Sequence, residues 1–277
     1  MIEHDIAGNR FFTYGLFDLY VNVTNVVTTR RRGVSSPPYD TLNLGFHVGD
    51  DPDAVLENRA IVSQILGFEP EAFTLAGQVH GSVVAVVRSN DRGKGAVIED
   101  DALRGTDAMI TNEADIPLAV LIADCVALSF YDPGKNVIGI AHAGWKGTLG
   151  RIAEKTVEAI AAAFGSNPAD ILAGVSPSIG VCHYEVGGEV ADAYRGVFGD
   201  EAARFLSEDT RGSYRLDLME ANTRQLLKAG VSSDRIETSR LCTACTPELF
   251  YSYRRDGVRT GRFAGIIVLH RTGRRLY

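Results

Sequence analysis

The chain contains no run of about 18 consecutive apolar residues, so no transmembrane helix is expected. Its first stretch, MIEHDIAGNRFFTYG, has acidic residues and no apolar core before a small-residue cleavage site, so it does not read as a signal peptide. A soluble, cytoplasmic protein is expected. An excess of basic charge is also missing. The 28 Lys and Arg stand against 35 Asp and Glu, a net charge of -7, which argues against nucleic acid or an anionic membrane as partner. There are only four cysteines, Cys125, Cys182, Cys242 and Cys245. In a cytoplasmic chain of this length they are not a disulfide framework, which leaves metal binding, catalysis or burial. Internal repeats, low-complexity tracts and linkers are absent, and turn signals recur along the whole length.

What is present is a sizeable core. The chain has 277 residues, 45% of them hydrophobic, and reads as a single domain over 1–277. The stretch DDPDAVLENRAIVSQILG predicts a helix, with Asp51 as cap, Pro52 at the first position, Gly67 as the stop, and Val55, Ile61, Val62 and Ile65 at helical spacing. IPLAVLIADCVALSFYD fits a buried strand, or two strands with a break at Asp124, and NVIGIAHAG fits another. TLGRIAEKTVEAIAAAFG predicts one helix ending at Gly165, with Ile152, Val157, Ile160 and Phe164 inward. Asp217 with Glu220 begins a further helix. RRDG signals a hairpin turn before the closing strand AGIIVLH. Strands and helices mix without strict alternation, so the expected class is α+β.

Three segments bring metal-binding residue types to strand ends: His80 in QVHG, Cys125 in ADCVAL and His142 in AHAGWKG. A catalytic zinc takes three such ligands and keeps one position open. Spacing alone leaves alternatives. Cys125 could instead be a nucleophile with His142 as its base and Asp124 tuning the pair, or all three could be buried core residues. Cys242 and Cys245 form a lone CxxC with no second pair at zinc-ribbon spacing, so a structural role near the closing hairpin is expected. Cys182 and His183 follow a Gly-rich turn and are read as packing or pocket-lining residues. The run Arg30, Arg31, Arg32 is a solvated face or an anion-binding edge.

The blocks QVHG, ADCVAL, AHAGWKGT, SPSIGVCHYEVGGEV and CTACTPELFYSYRRDGVRTGR, together with the earlier TLNLGFHVGDDPDAVLENRAIV, resemble the signature of the YfiH family. It is also called the laccase-domain or multicopper polyphenol oxidase family. The blocks run in family order over nearly the whole chain. The resemblance implies a single α+β domain of mixed β-sheets with flanking helices, likened to the catalytic domain of cytotoxic necrotizing factor. It implies a zinc enzyme that phosphorolyses adenosine, inosine, guanosine and methylthioadenosine and deaminates adenosine. Carried over, the metal ligands are His80, Cys125 and His142. Two departures are visible: RRRGVS stands where RxGGVS is common, and Phe263 follows TGR where glutamine is common. Both lie outside the metal blocks and bear on substrate detail.

On this reading the partners are purine nucleosides and phosphate, and Zn2+ is expected rather than copper. Deamination has water attack the purine C6; phosphorolysis has phosphate attack the ribose C1′. Asp124, beside Cys125, is the candidate proton carrier or partner of the ligands. Asn43 and Arg59 match recurring positions of the N-terminal block and are candidates to hold phosphate. Lys146, at a helix start, is another. Trp145 could stack on the base, and Gln78 could line the pocket. Arg254 and Arg255 are either structural or binding residues. Competing functions are a copper polyphenol oxidase, a Cys/His hydrolase acting on cell-wall peptide precursors, and a metal-stabilised binding protein. Multicopper oxidases need many histidines, commonly in HxH pairs; this chain has six histidines and no HxH. The oligomeric state is left open, a monomer included.

Overall fold

Strands that are apolar at every position must be covered on both faces, and the fold does this by stacking two sheets between helices. The computed structural model describes residues 1–6, 8–209 and 212–273. Leu118–Ile122 and Val126–Asp132 are two strands, as the break at Asp124 predicts, and they belong to different sheets. The first sheet has seven strands, in the order Ile2–Ile6, Asn9–Thr13, Val23–Thr28, Phe263–Leu269, Leu118–Ile122, Thr74–Gly77, Leu103–Arg104. The second has six, in the order Ile236–Thr238, Leu172–Val175, Val126–Asp132, Val137–Ala143, Ala108–Thr111, Val84–Val86. A small third sheet joins Glu185–Val186, Tyr214–Leu216 and Leu206–Glu208. Parallel and antiparallel pairs are mixed. The class is α+β, as expected.

Period-two alternation splits each buried strand between two cores. Leu118, Val120, Ile122, Phe263 and Ile267 meet Ala127, Tyr131, Ile138 and Ile140 between the sheets. The opposite residues of the first sheet, Ala119, Ala264, Ile266 and Val268, pack with Val62 and Leu66 of the helix Pro52–Leu66. Those of the second sheet, Val126, Leu128 and Phe130, lie under Ile152, Val157 and Ile160. Gly265 permits the close approach of the sheets, because a Cβ there would sit 2.8 Å from Ala127 Cβ.

The helix Pro52–Leu66 starts and stops as predicted: the Asp51 side chain accepts from Asp53 N, and Gly67 adopts φ 72°. Asp217 likewise caps Leu218–Lys228 by accepting from Glu220 N. Two expectations are corrected. The helix expected from Thr148 is two helices, Trp145–Leu149 and Ile152–Phe164, separated where Arg151 turns left-handed at φ 60°. RRDG is not a hairpin turn. Ser252 caps a short helix, Tyr253–Asp256, by accepting from Arg255 N, and Phe263–Leu269 then enters the middle of a sheet. Among the described residues, no helix is long and apolar enough to cross a membrane.

Candidate metal centre and pocket

Three chain segments meet where the chain crosses from the first sheet to the second. Gln78, Val79 and His80 continue from the strand Thr74–Gly77 of the first sheet. Ala123, Asp124 and Cys125 carry the chain from the first sheet to the second. His142 lies near the end of Val137–Ala143, paired with Ala127, so it stands beside the Cys125 crossing. The turns are sharp: His80 and Asp124 adopt φ 58° and 89° without being glycine. Such strained positions persist where surrounding structure holds them, often at functional sites.

The donor atoms of His80, Cys125 and His142 all lie within 4.8 Å of one another. The two imidazoles meet nearly edge to face, centroids 4.7 Å apart. His80 is exposed, Cys125 half-buried and His142 buried. Gly144 closes the cluster: a Cβ there would sit 2.8 Å from His80 Nδ1 and 3.0 Å from Cys125 Sγ. Only glycine leaves that space clear.

Behind the cluster lies Asp107, fully buried, which sequence reasoning missed. Its Oδ1 accepts from His80 N at 3.0 Å and pairs with His142 Nδ1 at 2.9 Å. Its Oδ2 accepts from Gly81 N at 2.6 Å and Val79 N at 3.3 Å. One carboxylate therefore shapes the His80 turn and, by occupying Nδ1, leaves Nε2 of His142 to face the cluster. Burial alone would raise the Asp107 carboxyl, but the His142 imidazole and the N–H groups of Gly81 and Val79 outweigh it and hold it below the usual range. Its sequence context, GTDAMIT, is a lone Asp before a strand. Register explains its place: Ala108 pairs with Ala141, so Asp107 falls opposite His142.

Burial also opposes charge on Cys125 and His142, yet the two stabilise each other. The His142 imidazole, with hydrogen bonds from His142 and His80, holds the Cys125 thiol well below its ordinary range. Cys125 and Asp107 hold His142 well above its own. Two imidazoles and an ionisable thiol, one imidazole oriented by a carboxylate, are a donor set that suits a borderline-soft divalent ion.

The cluster sits in the wall of a cavity of about 720 Å³, a size suited to a small-molecule ligand. Asp124, Trp145, Gln78 and Arg59 also line it, as do Phe46, His47, Glu99, Tyr184, Tyr253, Arg254 and Arg262. Gln78 donates to Leu121 O and accepts from Leu121 N, extending the strand edge. Asp124 accepts from Thr243 Oγ1 and from Arg254 N. Arg59 is buried and donates to the carbonyls of Leu44, Gly95 and Ala96, with its guanidinium 4.3 Å over Phe46. Most of its donors are thus committed to holding two loops.

The structure moves two candidates away from ligand contact. Asn43 donates to Gly45 O and Asp50 Oδ2 and accepts from the N–H groups of Gly45 and Arg262. Those four bonds saturate its amide, so it shapes a loop and has no donor left for phosphate. Lys146 is exposed, 5.5 Å over the Trp145 ring, and is not part of the cavity wall. Of the run at 30–32, Arg30 is the most committed to the fold. Arg30 donates to Asp40 O and Pro247 O, and Arg31 to Glu248 O. Arg255 is structural, bonded to Thr243 O, Phe250 O and Asp256.

The model of the multi-copper polyphenol oxidoreductase laccase family matches residues 24–270. The chain belongs to this family. It is similar to the purine nucleoside phosphorylase YlmD of Bacillus subtilis, 42% identical over 87% of this chain and 86% of that one. The adenosine deaminase RL5, from an unknown prokaryotic organism, is 34% identical over 86% of this chain and 91% of its own. The crystal structure of YlmD from Geobacillus stearothermophilus superposes with a TM-score of 0.92 at 38% identity, covering 97% of this chain and 99% of that one. The family's description thus speaks of copper oxidation, while these two relatives are named for nucleoside chemistry.

Proposed function

We propose that the chain is a zinc-dependent purine nucleoside phosphorylase that also deaminates adenosine. The observation that carries this is the three-donor His80, Cys125, His142 set in the wall of a nucleoside-sized cavity. The names of similar enzymes support it. Zinc is favoured over copper because the chain has six histidines and no HxH pair, and because the His80, Cys125, His142 set offers three ligands with room for a fourth position. Bound there, zinc supplies a Lewis acid that lowers the pKa of coordinated water and stabilises developing negative charge.

The chain's own groups do the rest. Asp107 fixes both histidines. Trp145, Tyr184 and Phe46 offer flat apolar faces to a purine. Arg262 is the cation for phosphate. Its Nη1 is bonded to Thr260 O and Gly261 O, which leaves Nε and Nη2 for an anion. Burial lowers its pKa, and Cys125 and Asp124 lie near enough to oppose that. Arg254 is the second candidate cation. Asp124 Oδ1 or Oδ2 takes up and returns the proton in deamination. Glu99 lines the same cavity, and burial raises its carboxyl, with Arg59 opposing and Asp100 adding; it is the candidate proton donor to the leaving purine of phosphorolysis.

The test is incubation with adenosine, with and without phosphate, alongside metal analysis. Adenine and ribose 1-phosphate should appear only with phosphate, and inosine in either case. Full activity in a metal-free preparation or in His80→Ala would refute the proposal. A second reading, a Cys/His hydrolase, is favoured by the mutual stabilisation of Cys125 and His142 as a charged pair. It requires activity on amide substrates that survives chelation and disappears in Cys125→Ser.

A further inference from the structure

The loop that follows the strand Leu172–Val175 runs beside the loop that follows Ile236–Thr238. Ser178 bridges Cys242 in parallel, Thr243 N donates to Ser178 O at 2.9 Å, and Ser178 N to Leu241 O at 3.4 Å. This pairing carries the Cys182–His183 dipeptide to the CxxC of Cys242 and Cys245. The CxxC therefore has a second pair, an adjacent Cys-His 59 to 63 residues upstream, which no ribbon spacing would reveal.

The three sulfurs and the imidazole nitrogen lie within 4.8 Å of one another. His183 Nδ1 is 3.3 Å from Cys182 Sγ, 3.4 Å from Cys245 Sγ and 3.8 Å from Cys242 Sγ. Cys182 Sγ and Cys245 Sγ are 3.6 Å apart. Tetrahedral zinc with Zn–S near 2.3 Å and Zn–N near 2.0–2.1 Å places sulfurs about 3.8 Å apart and sulfur and nitrogen about 3.6 Å apart. Four of the six donor–donor distances, at 3.3, 3.4, 3.6 and 3.8 Å, are close to those edges, and the other two are within 4.8 Å. A disulfide would use two of them and leave the convergence of the others unexplained.

The surroundings fit thiolates. Gly180 N donates to Cys242 Sγ at 3.1 Å, and Cys242 is buried. Arg254 donates to His183 O and Arg215 to Cys182 O, which brings two cations to a centre whose three thiolates outweigh one divalent ion. We propose that Cys182, His183, Cys242 and Cys245 form a second zinc site, closed by four protein ligands and structural in role. It shares no residue with the His80, Cys125, His142 set. It joins two loops distant in sequence and so restrains the unfolded chain. Ile179 and Tyr184, on one loop, line the cavity, and Thr243, on the other, donates to Asp124. The second metal thus staples one cavity wall.

The test counts zinc by mass spectrometry in the full chain, purified without a histidine tag in reducing buffer. Two zinc per chain are expected, one in His80→Ala and one in Cys245→Ser. The His80→Ala chain loaded with cobalt should show the visible bands of tetrahedral thiolate ligation, and chelation should lower its Tm. A single zinc in the parent that vanishes in His80→Ala would overturn the proposal. So would a Cys182–Cys245 disulfide with no second metal. Should Cys245→Ser fail to fold, the His80→Ala count still decides, because its second cluster is untouched.

Discussion

Replacing Asp107 by Asn tests how the centre is held. The substitution is nearly isosteric and removes one charge, but it also replaces an acceptor oxygen by an NH2 donor. Asp107 accepts on both oxygens: Oδ1 serves His80 N and His142 Nδ1, Oδ2 serves Gly81 N and Val79 N. Turned one way, the Asn NH2 faces the Gly81 and Val79 N–H groups; turned the other way, it faces the His80 N–H and the His142 Nδ1, which carries a proton when Nε2 binds metal. Two part-buried donors without acceptors cost up to about 1–3 kcal/mol each. Partial relaxation leaves an expected loss of about 3 kcal/mol, or roughly 6–12 °C in Tm for a chain of this size. Misoriented histidines should weaken zinc about 10–100-fold. Chelator competition and thermal unfolding of the metal-free variant read these separately. The pH dependence has a definite sign. The Asp107 carboxyl is held below its unfolded value. Its stabilising contribution is present above roughly pH 4 and is lost as pH falls through the folded pKa, so Asp107→Asn should flatten that acid limb. Zinc affinity within about twofold of the parent and a Tm lowered by less than ~2 °C would refute the account.

Gly144→Ala should fold but bind a divalent metal at the His80, Cys125, His142 set at least about tenfold more weakly, since the new methyl meets His80 Nδ1 and Cys125 Sγ; equilibrium dialysis against His80→Ala checks it. Arg262→Met should raise KM for phosphate roughly 10–100-fold while leaving adenosine deamination near the parent rate. Equal losses in both reactions would mean that Arg262 holds the pocket and not the phosphate. Arg59→Met strips donors from the buried carbonyls of Leu44, Gly95 and Ala96 and should cost about 3–5 kcal/mol in urea unfolding. A change below about 1 kcal/mol would show that water replaces it.

Local chemistry was legible where it acts locally. Asp51, Pro52 and Gly67 bound the helix Pro52–Leu66 as their types require. The uninterrupted apolar runs became strands buried on both faces. Two local readings failed for a physical reason. RRDG carries a turn signal, but the Ser252 cap makes it helical. The helix that begins after Gly144 bends at Arg151, which no side-chain pattern forbids.

Asn43 and Arg59 illustrate a different limit. Their residue types suit phosphate, yet a buried guanidinium or amide must first satisfy its own hydrogen bonds. Loop carbonyls, N–H groups and the Asp50 carboxylate take all of Asn43, and loop carbonyls most of Arg59. Arg262, unremarkable in the sequence, keeps free donors because only one of its terminal nitrogens is engaged.

By itself the sequence determined most of the buried strand and helix segments, the α+β class and the residue types able to bind a soft divalent ion, because these follow from periodicity and side-chain chemistry. The family blocks singled out His80, Cys125 and His142 from other candidates. Only the tertiary structure decided that Asp107 stands opposite His142, that the Asn43 amide is saturated within its loop, and that Cys182–His183 meets Cys242–Cys245. Those outcomes depend on strand register and on loops pairing across dozens of residues, and neither is written in the spacing of any one segment.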